Sequence, residues 1–270
     1  MEFVSLGGHK VPALGLGTWL LEGAVCRRAV GEALDLGYRH IDTAQIYGNE
    51  AEVGQALAAS GVDRDELFVT TKVWNDRRRA DDVEQSVHDS LRKLGTGYVD
   101  LLLIHWPVAL DRVGETLQAM VGLQQRELVR HIGVSNFSAR HFEEARATAP
   151  VVCNQVEYHP FLAQDAVLAA ARQVDAVVTA YSPLARGTVP EDPTLIDIGR
   201  RHGKTPAQVT LRWLLDQDGV MAVPKASGRA HLHDNIDVFD FSLTNEERDR
   251  IAGLARGERH VDPPWAIWED

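Results

Sequence analysis

The chain is poor in cysteine and lacks a long apolar run. Its two cysteines, Cys26 and Cys153, have no metal-ligand spacing and give little reason to expect a disulfide, so we expect a protein of the reducing cytoplasm. No apolar run approaches about 18 residues, and the start of the chain has no basic region followed by an apolar stretch. We therefore expect neither membrane insertion nor secretion.

Basic residues are also in deficit. The chain has 28 basic and 39 acidic residues, which give a net charge of -11. The electric field of this net negative charge repels nucleic acid and anionic membranes, so neither is expected as a partner.

A GxGxxG fingerprint is missing as well, because the segment "GLGTW" has no third glycine. This absence argues against a doubly wound dinucleotide-binding domain.

The length and composition of the chain are those of one globular domain. The chain has 270 residues, of which 44% are apolar and 25% charged, as is ordinary for a soluble globular protein. No linker, tandem repeat or low-complexity tract interrupts it. We therefore expect a single domain over residues 1–270.

Eight short apolar segments recur along the chain, and they lead into polar or ionisable residues. Asp42, Lys72 and His105 close three of the first four segments, at intervals of 30 and 33 residues, about the length of a strand-helix-strand unit. Later segments end near Asn136, Gln155, Ser182 and Lys225. This order predicts an α/β fold, a (β/α)8 TIM barrel, in which the residues that close the strands gather at the face where active sites lie.

Additional elements are expected at both ends of the barrel. Gly7 and Gly8 are typical of a hairpin turn, and this hairpin would cap the closed end. Two helices, rather than one, are predicted before the last strand, the second capped by Thr205 with Pro206 at its first position. A further C-terminal helix is expected to open on Thr244, followed by an irregular tail, "HVDPPWAIWED".

A tyrosine, Tyr47, follows Asp42 on the loop leaving the second strand. Its phenol is a poor acid near neutral pH unless a nearby cation favours the phenolate, and Lys72 can supply that cation. We expect a pKa lowered by about two units, with Asp42 keeping Lys72 charged. With His105 hydrogen-bonded to the reacting oxygen, this set suits protonation of an alkoxide formed from a carbonyl, which typically contributes about 10² to 10⁴ in rate.

No side chain can donate a hydride, so carbonyl reduction requires a nicotinamide cofactor. Ser135, Asn136 and Gln155 offer amide and hydroxyl groups for its carboxamide, and Tyr181 offers a flat face for its ring. Lys225 precedes a predicted helix N-terminus, where a phosphate is electrostatically favoured.

Several longer segments carry a family resemblance. Together they resemble the aldo-keto reductase family, and most closely its prokaryotic 2,5-diketo-gluconate reductase branch. The match runs in order across nearly the whole chain. The segments are "GYRHIDTAQIYGNEAEVGQAL", "TTKVW", "YVDLLLIHWP", "VRHIGVSNFS", "NQVEYHP", "YSPL" and "VPKAS...DNIDVFDF".

The resemblance implies a barrel that binds extended NADPH and reduces aldehydes or ketones to alcohols. It places the family's catalytic tetrad on Asp42, Tyr47, Lys72 and His105, with Tyr47 as general acid. It also implies contacts with the carboxamide, nicotinamide ring, pyrophosphate, adenosine phosphate and adenine. The carboxamide contacts fall on Ser135, Asn136 and Gln155, and the nicotinamide ring stacks on Tyr181. The pyrophosphate contacts fall on Ser182 and Leu184, those of the adenosine phosphate on Lys225 and Ser227, and those of adenine on Asp234 and Asn235.

Two positions depart from the family pattern near the adenosine phosphate. The family commonly has serine directly after the lysine and arginine six positions after it, where this chain has Ala226 and His231. Loss of a permanently charged, bidentate phosphate ligand weakens discrimination for the 2′-phosphate. We therefore predict use of NADPH with appreciable NADH activity, and an NADPH preference above about a thousandfold would contradict this.

The resemblance also assigns the substrate pocket. Trp19, Trp74, Trp106 and Trp265 match aromatic positions that line the pocket in relatives, which favours an apolar or small, partly polar carbonyl compound. The short loop after His105 suggests an open site that admits sugars or varied aldehydes. No cationic residue marks a carboxylate site, so a gluconate is not the expected substrate. Relatives are often monomers, and we expect a monomer here.

Three alternatives stay open at this point. The chain could be a catalytically silent, nicotinamide-binding regulatory protein, because a fold alone does not establish catalysis. It could be a Schiff-base lyase with Lys72 as nucleophile, although Asp42 favours a charged lysine. Singly, the assigned residues also have structural explanations: Asp42 and Lys72 as an ion pair, Tyr181 in packing and Trp265 in anchoring the tail.

Overall fold

The computed structural model describes residues 1–76 and 79–268. Eight strands form one parallel sheet in which they lie side by side in their order along the chain. The sheet closes on itself through a parallel bridge between Leu14 and Ala222, and Gly17 N donates to the Pro224 carbonyl at 3.0 Å. The predicted barrel is therefore confirmed. The strands are β3 Leu16–Gly17, β4 His40–Asp42, β5 Phe68–Val73, β6 Val99–Ile104, β7 Val129–Ser135, β8 Val151–Glu157, β9 Val177–Tyr181 and β10 Val220–Val223.

Helices follow the strands around the outside of the barrel. They are α1 Gly23–Asp35, α2 Glu50–Ala59, α3 Ala80–Leu94, α4 Val113–Gln125, α5 Ala139–Thr148, α6 Asp165–Arg172, α7 Pro193–His202, α8 Pro206–Leu215, α9 Arg229–Ile236 and α10 Asn245–Ala252. Both α7 and α8 precede β10, as predicted. Thr205 caps α8 and Thr244 caps α10, each in a capping box with a glutamine or glutamate three residues on.

One end of the barrel is closed by the predicted hairpin of β1, Phe3–Leu6, and β2, His9–Pro12. Gly7 and Gly8 form its turn with positive φ of 55° and 85°, a conformation that glycine adopts without strain. The hairpin buries Leu6 and Val11 in a cluster with interior side chains of the barrel. Those are Phe68, Leu101, Leu103, Cys153, Val177 and Met221. Because apolar side chains fill the barrel interior at this end, a site inside the barrel is expected at the opposite end.

The C-terminal tail runs back across the open end of the barrel. Its last two residues, part of the predicted irregular segment, lie outside the described residues. Across the described ranges, no helix combines the length and apolar character that a membrane span requires.

Candidate active site

A pocket of about 450 Å³ opens at the carboxyl ends of the strands. Its walls contain most of the predicted catalytic, nicotinamide and substrate residues. From the predictions these are Trp19, Asp42, Tyr47, Trp74, His105, Trp106, Ser135, Asn136, Gln155, Tyr181, Ser182, Lys225 and Trp265. Residues that are far apart in the sequence thus meet at one face of the barrel, as parallel strands require.

A fully buried ion pair lies at the base of this pocket. Lys72 Nζ donates to Asp42 Oδ1 at 2.6 Å and to the Thr43 carbonyl at 2.9 Å. The second carboxylate oxygen, Asp42 Oδ2, accepts from Gln155 Nε2 at 2.7 Å. The expected pairing of Asp42 with Lys72 is confirmed. Because Lys72 is buried and held by two acceptors, it is poorly placed to act as a Schiff-base nucleophile.

Tyr47 ends a short 3₁₀ helix, Gln45–Tyr47, that follows β4. Lys72 Nζ lies 5.1 Å from the centroid of its ring. Burial, and then the charge of Asp42, raise the pKa of Tyr47 well above its ordinary value. The expected lowering of this pKa by Lys72 is therefore wrong for the protein alone, because burial and the nearby Asp42 carboxylate both disfavour the phenolate.

His105 follows β6 and packs edge-on against two aromatic rings. Its ring centroid lies 5.7 Å from that of Tyr47 and 5.1 Å from that of Trp74. Burial, and then the charge of Lys72, hold the pKa of His105 well below its ordinary value, so the imidazole is neutral near pH 7. Its Nδ1 atom is buried without a hydrogen-bond partner among the described residues. The site thus pairs a protonated phenol with a neutral imidazole.

A hydrogen-bonded set of polar groups forms the adjoining wall. Tyr181 donates its hydroxyl to Asn136 Oδ1 at 2.6 Å. Asn136 Nδ2 donates to the His105 carbonyl and to Ser135 Oγ, both at 3.0 Å, and Ser135 Oγ donates to the Gln155 carbonyl at 2.8 Å. Asn136 adopts a left-handed conformation with φ of 66°. This network fixes the groups predicted to recognise the carboxamide, and it holds the Tyr181 ring at the pocket surface.

The loop after β9 is strained at three positions within five residues. Ser182, Ala185 and Arg186 have positive φ of 46°, 47° and 49°. Non-glycine residues in this region cost of order 1–3 kcal/mol each, and they cluster at ligand-binding sites. Arg186 lines the pocket and lies over the Trp19 ring, with Cζ 4.7 Å from its centroid. Sequence reasoning missed Arg186, although the charge directly after "YSPLA" was a usable signal.

The predicted cofactor residues that do not line the pocket are Leu184, in the loop after β9, and a group of residues in or just before α9. Lys225, at the pocket edge, is exposed, and so are Ser227 and His231. The helix N-terminus itself is uncapped, because Gly228 at the N-cap has no side chain to accept from the first amides. Of the others, Leu184 and Asp234 are partly exposed, and Ala226 and Asn235 are buried.

An aromatic wall lies at one side of the pocket and consists of Trp74, Trp106, Trp265 and Trp268. The Trp265 ring, 42% exposed, lies 5.0 Å from Trp106 and 6.2 Å from Trp74, between centroids. Trp268 packs on Trp106 at 5.4 Å. Neighbouring tail residues complete this wall, and sequence reasoning missed them because the tail has no repeating pattern. They are His260, Val261, Asp262 and Pro263.

Comparison with known proteins agrees with this geometry. The family model described as "Aldo/keto reductase family" matches residues 13–256. Methylglyoxal reductase DkgB of Escherichia coli O157:H7 is 42% identical over 258 residues, which cover 94% of this chain and 96% of that protein.

Two solved structures show the same fold. A candidate 2,5-diketo-D-gluconic acid reductase B superposes with a TM-score of 0.97 at 48% identity, covering 100% of this chain and 98% of that one. An aldo-keto reductase of Bombyx mori in complex with NADP superposes with a TM-score of 0.90 at 37% identity, covering 97% and 95%. The predicted family is confirmed: the chain belongs to the aldo/keto reductase family, and it is an NAD(P)H-dependent oxidoreductase that acts on carbonyl compounds.

Proposed function

We propose that this protein reduces aldehydes or ketones to alcohols with NADPH, that it also accepts NADH, and that Tyr47 is the general acid. The observation that carries the proposal is the buried Asp42–Lys72 pair beside Tyr47 and His105 at the base of one pocket. A reduced nicotinamide supplies the hydride for such a reaction. The side chains must then supply a proton and stabilise the charge left behind.

Tyr47 and His105 have the protonation states that this chemistry needs. The raised pKa of Tyr47 keeps its proton in place until a carbonyl oxygen becomes basic during reduction. Transfer of that proton breaks the phenol O–H bond and forms the O–H bond of the alcohol. The phenolate that remains is favoured by the Lys72 ammonium, whose charge Asp42 maintains. Neutral His105 offers a hydrogen bond to the carbonyl oxygen without competing for the proton.

The polar wall and the strained loop suit a dinucleotide. Ser135, Asn136 and Gln155 supply the carboxamide contacts, and Tyr181 presents its ring to the pocket. The loop from Ser182 to Arg186 is left-handed at Ser182, Ala185 and Arg186. This loop, with the Leu184 amide, and the exposed Lys225 offer donors and charge to phosphates. Ser227, Asp234 and Asn235 would then face the adenosine.

The adenosine end carries less fixed charge than the family pattern. Buried Ala226 and exposed His231 stand where serine and arginine are common, so the 2′-phosphate gains fewer charge-assisted contacts. Steady-state kinetics with both cofactors test this. We expect a preference for NADPH well below about a thousandfold, and a larger one would contradict the proposal.

The tryptophans that line the pocket, Trp19, Trp74, Trp106 and Trp265, favour small neutral aldehydes and aromatic aldehydes because they supply apolar surface. Sugar acids are not favoured, because Asp262 lines the same pocket as Arg186 and offsets the guanidinium that could attract their carboxylate. Methylglyoxal, which the related E. coli enzyme is named for, meets this description. The test follows NADPH consumption with methylglyoxal, benzaldehyde, keto acids, aldoses and 2,5-diketo-D-gluconate. Tight NADPH binding with no turnover on any of them would instead support a regulatory protein.

We further propose a monomer that acts as one domain over residues 1–270 in the cytoplasm, without nucleic acid or membrane partners. The net charge of -11 supports the absence of anionic partners. Burial, aided by Glu52, raises the pKa of the Cys26 thiol to about 11, and burial raises that of Cys153 to about 12, so neither thiol is readily oxidised. Light scattering after size exclusion tests the monomer.

A further inference from the structure

The tail that lines the pocket is attached to the barrel at one carboxylate. Glu157, the last residue of β8, is fully buried. Its Oε1 accepts from the backbone amide of His260 at 2.8 Å and from His159 Nε2 at 3.1 Å. Its Oε2 accepts from the backbone amide of Val261 at 2.9 Å. Two consecutive tail amides therefore bind opposite oxygens of a single side chain.

These hydrogen bonds are of the strong, charge-assisted kind. Burial acts to raise the pKa of Glu157, but the donors from His159, His260 and Val261 outweigh it, and the pKa is lowered. The carboxylate is therefore ionised near neutral pH, and an ionised acceptor binds amides about twice as strongly as a neutral one.

The attachment coincides with the pocket wall. Phe161 first fixes the tail, because its carbonyl accepts from the amides of Arg256 and Glu258 at 3.1 and 3.0 Å. The next contact is Glu157 itself, and the two residues it binds, His260 and Val261, already line the pocket. No free segment separates the attachment from the wall, so a change at Glu157 is transmitted directly to the residues facing substrate.

The carboxylate of Glu157 makes no hydrogen bond to Tyr47, His105 or the Asp42–Lys72 pair among the described residues. Each of its carboxylate oxygens is occupied by donors from the tail or from His159. The residues that line the pocket include its strand neighbour Gln155 but not Glu157, within the part of the chain that the structure describes. The contacts of its carboxylate therefore run to the tail, whereas its backbone pairs in register with Tyr181 on β9. An effect passed through Tyr181 would change the KM for NADPH rather than the KM for the aldehyde.

We propose that Glu157 is a positioning residue whose carboxylate holds the tail wall of the pocket, and that it thereby sets the affinity for bulky carbonyl substrates without taking part in proton transfer. Only the claim about affinity for carbonyl substrates rests on the proposed reductase function. The structural part concerns the order of residues 260–265 and holds whatever the reaction is.

The test replaces the carboxylate by its amide, in Glu157→Gln. The new NH2 group faces a donor on one side, so at least one tail hydrogen bond is lost and a buried donor is left unpaired. Hydrogen exchange of the amides of residues 258–262 should accelerate by roughly tenfold or more. The KM for benzaldehyde should rise by about tenfold, while the KM for methylglyoxal and kcat change by less than about threefold.

The matched control is Glu247→Gln at the start of α10. Glu247 is also a buried glutamate that accepts from a backbone amide, Thr244, and from a histidine, His202. Its substitution should lower thermal stability by a similar amount but leave tail exchange and both KM values unchanged. Equal kinetic effects of the two variants would overturn the proposal.

Two further variants separate positioning from a general loss of stability. Val261→Pro removes one amide donor while leaving the barrel carboxylate intact. Because the Val261 side chain lines the pocket, the control is Val261→Ala, which keeps the amide, and Val261→Pro should raise the benzaldehyde KM above that of this control even if Glu157→Gln folds poorly. Trp265→Ala combined with Glu157→Gln should raise that KM by less than the product of the single effects, because both act on the same wall. Unchanged tail exchange in Glu157→Gln, or full additivity with Trp265→Ala, would refute the assignment. Exchange needs no turnover, so its result stands even if no carbonyl substrate is reduced.

Discussion

The two ends of the barrel are built from the same types of residue and have opposite properties. At the closed end Asp100 accepts from Arg64 at 2.7 Å, from Arg130 at 2.9 Å and from the Val69 amide at 2.9 Å. Both guanidinium groups lie over the Tyr98 ring, each with its Cζ 4.0 Å from the ring centroid. At the open end Asp42, Lys72 and Tyr47 are again a carboxylate, a cation and a tyrosine.

The difference lies in hydration and in free volume. Arg64 and Arg130 are 24% and 44% exposed, so their charges remain partly in water while their stems pack on the protein. Lys72 is 1% exposed and depends on Asp42 for its charge. Beside that pair lies a cavity that admits a ligand. The comparison indicates that a buried charge with one ionic partner beside a cavity, such as Lys72, is suited to catalysis. A carboxylate with two partly hydrated ionic partners, such as Asp100, is suited to stabilising the fold.

The largest expected difference is in turnover. Tyr47→Phe removes the proposed acid and should lower kcat by at least about 10²-fold, with the affinity for NADPH nearly unchanged. Tyr98→Phe removes the same hydroxyl at the closed end and should leave kcat within about twofold of the parent. NADPH consumption and fluorescence titration of the cofactor measure the two quantities. Near-normal turnover in Tyr47→Phe would contradict the assignment of the acid.

The second difference is in stability. Lys72→Met leaves Asp42 buried without its cation and should lower the free energy of unfolding by about 3–5 kcal/mol. Arg130→Met leaves Asp100 with Arg64 and the Val69 amide, and should cost only about 1 kcal/mol or less. Urea unfolding of both variants measures this. Similar losses would show that the open-end pair is no more isolated from water than the closed-end cluster.

The parts of this arrangement that the sequence predicts follow from regular strands. Asp42, Lys72 and His105 could be placed at one face because each closes a parallel strand. The starts of two helices could be predicted because Thr205 and Thr244 are residues that commonly cap helices. The direction of the Tyr47 pKa was wrong, because a sequence does not show how much burial opposes a neighbouring cation.

The tail wall illustrates what sequence patterns omit. Glu157 lies two residues beyond Gln155, where the sixth barrel segment was expected to end. Its partners are backbone amides 103 and 104 residues later, and a backbone amide leaves no trace in the identity of a residue. Long-range contacts to irregular backbone therefore had to come from the structure.

A third comparison concerns the histidines at the two ends. Burial, and then Lys72, lower the pKa of His105, while burial, and then His9, lower that of His131 to about 4. Both rings should therefore stay neutral, with constant NMR shifts, from about pH 6 to 9. Because the unfolded chain binds these protons near pH 6.5 and the folded one does not, stability should fall as the pH drops below that value. A His105 resonance that titrates near pH 6.5 would show that its ring is hydrated.

The smallest effect is expected within the open end, between its buried base and its exposed cofactor edge. His231 lies in solvent on α9, so an arginine there adds charge-assisted contacts to a 2′-phosphate without disturbing the core. His231→Arg should raise the preference for NADPH over NADH by about tenfold, close to 1.4 kcal/mol, through the KM for NADPH. His233→Arg, which adds the same charge on the same helix, serves as the control and should change the preference by less than about threefold. If both variants raise it equally, the local field rather than a directed contact at position 231 determines cofactor choice.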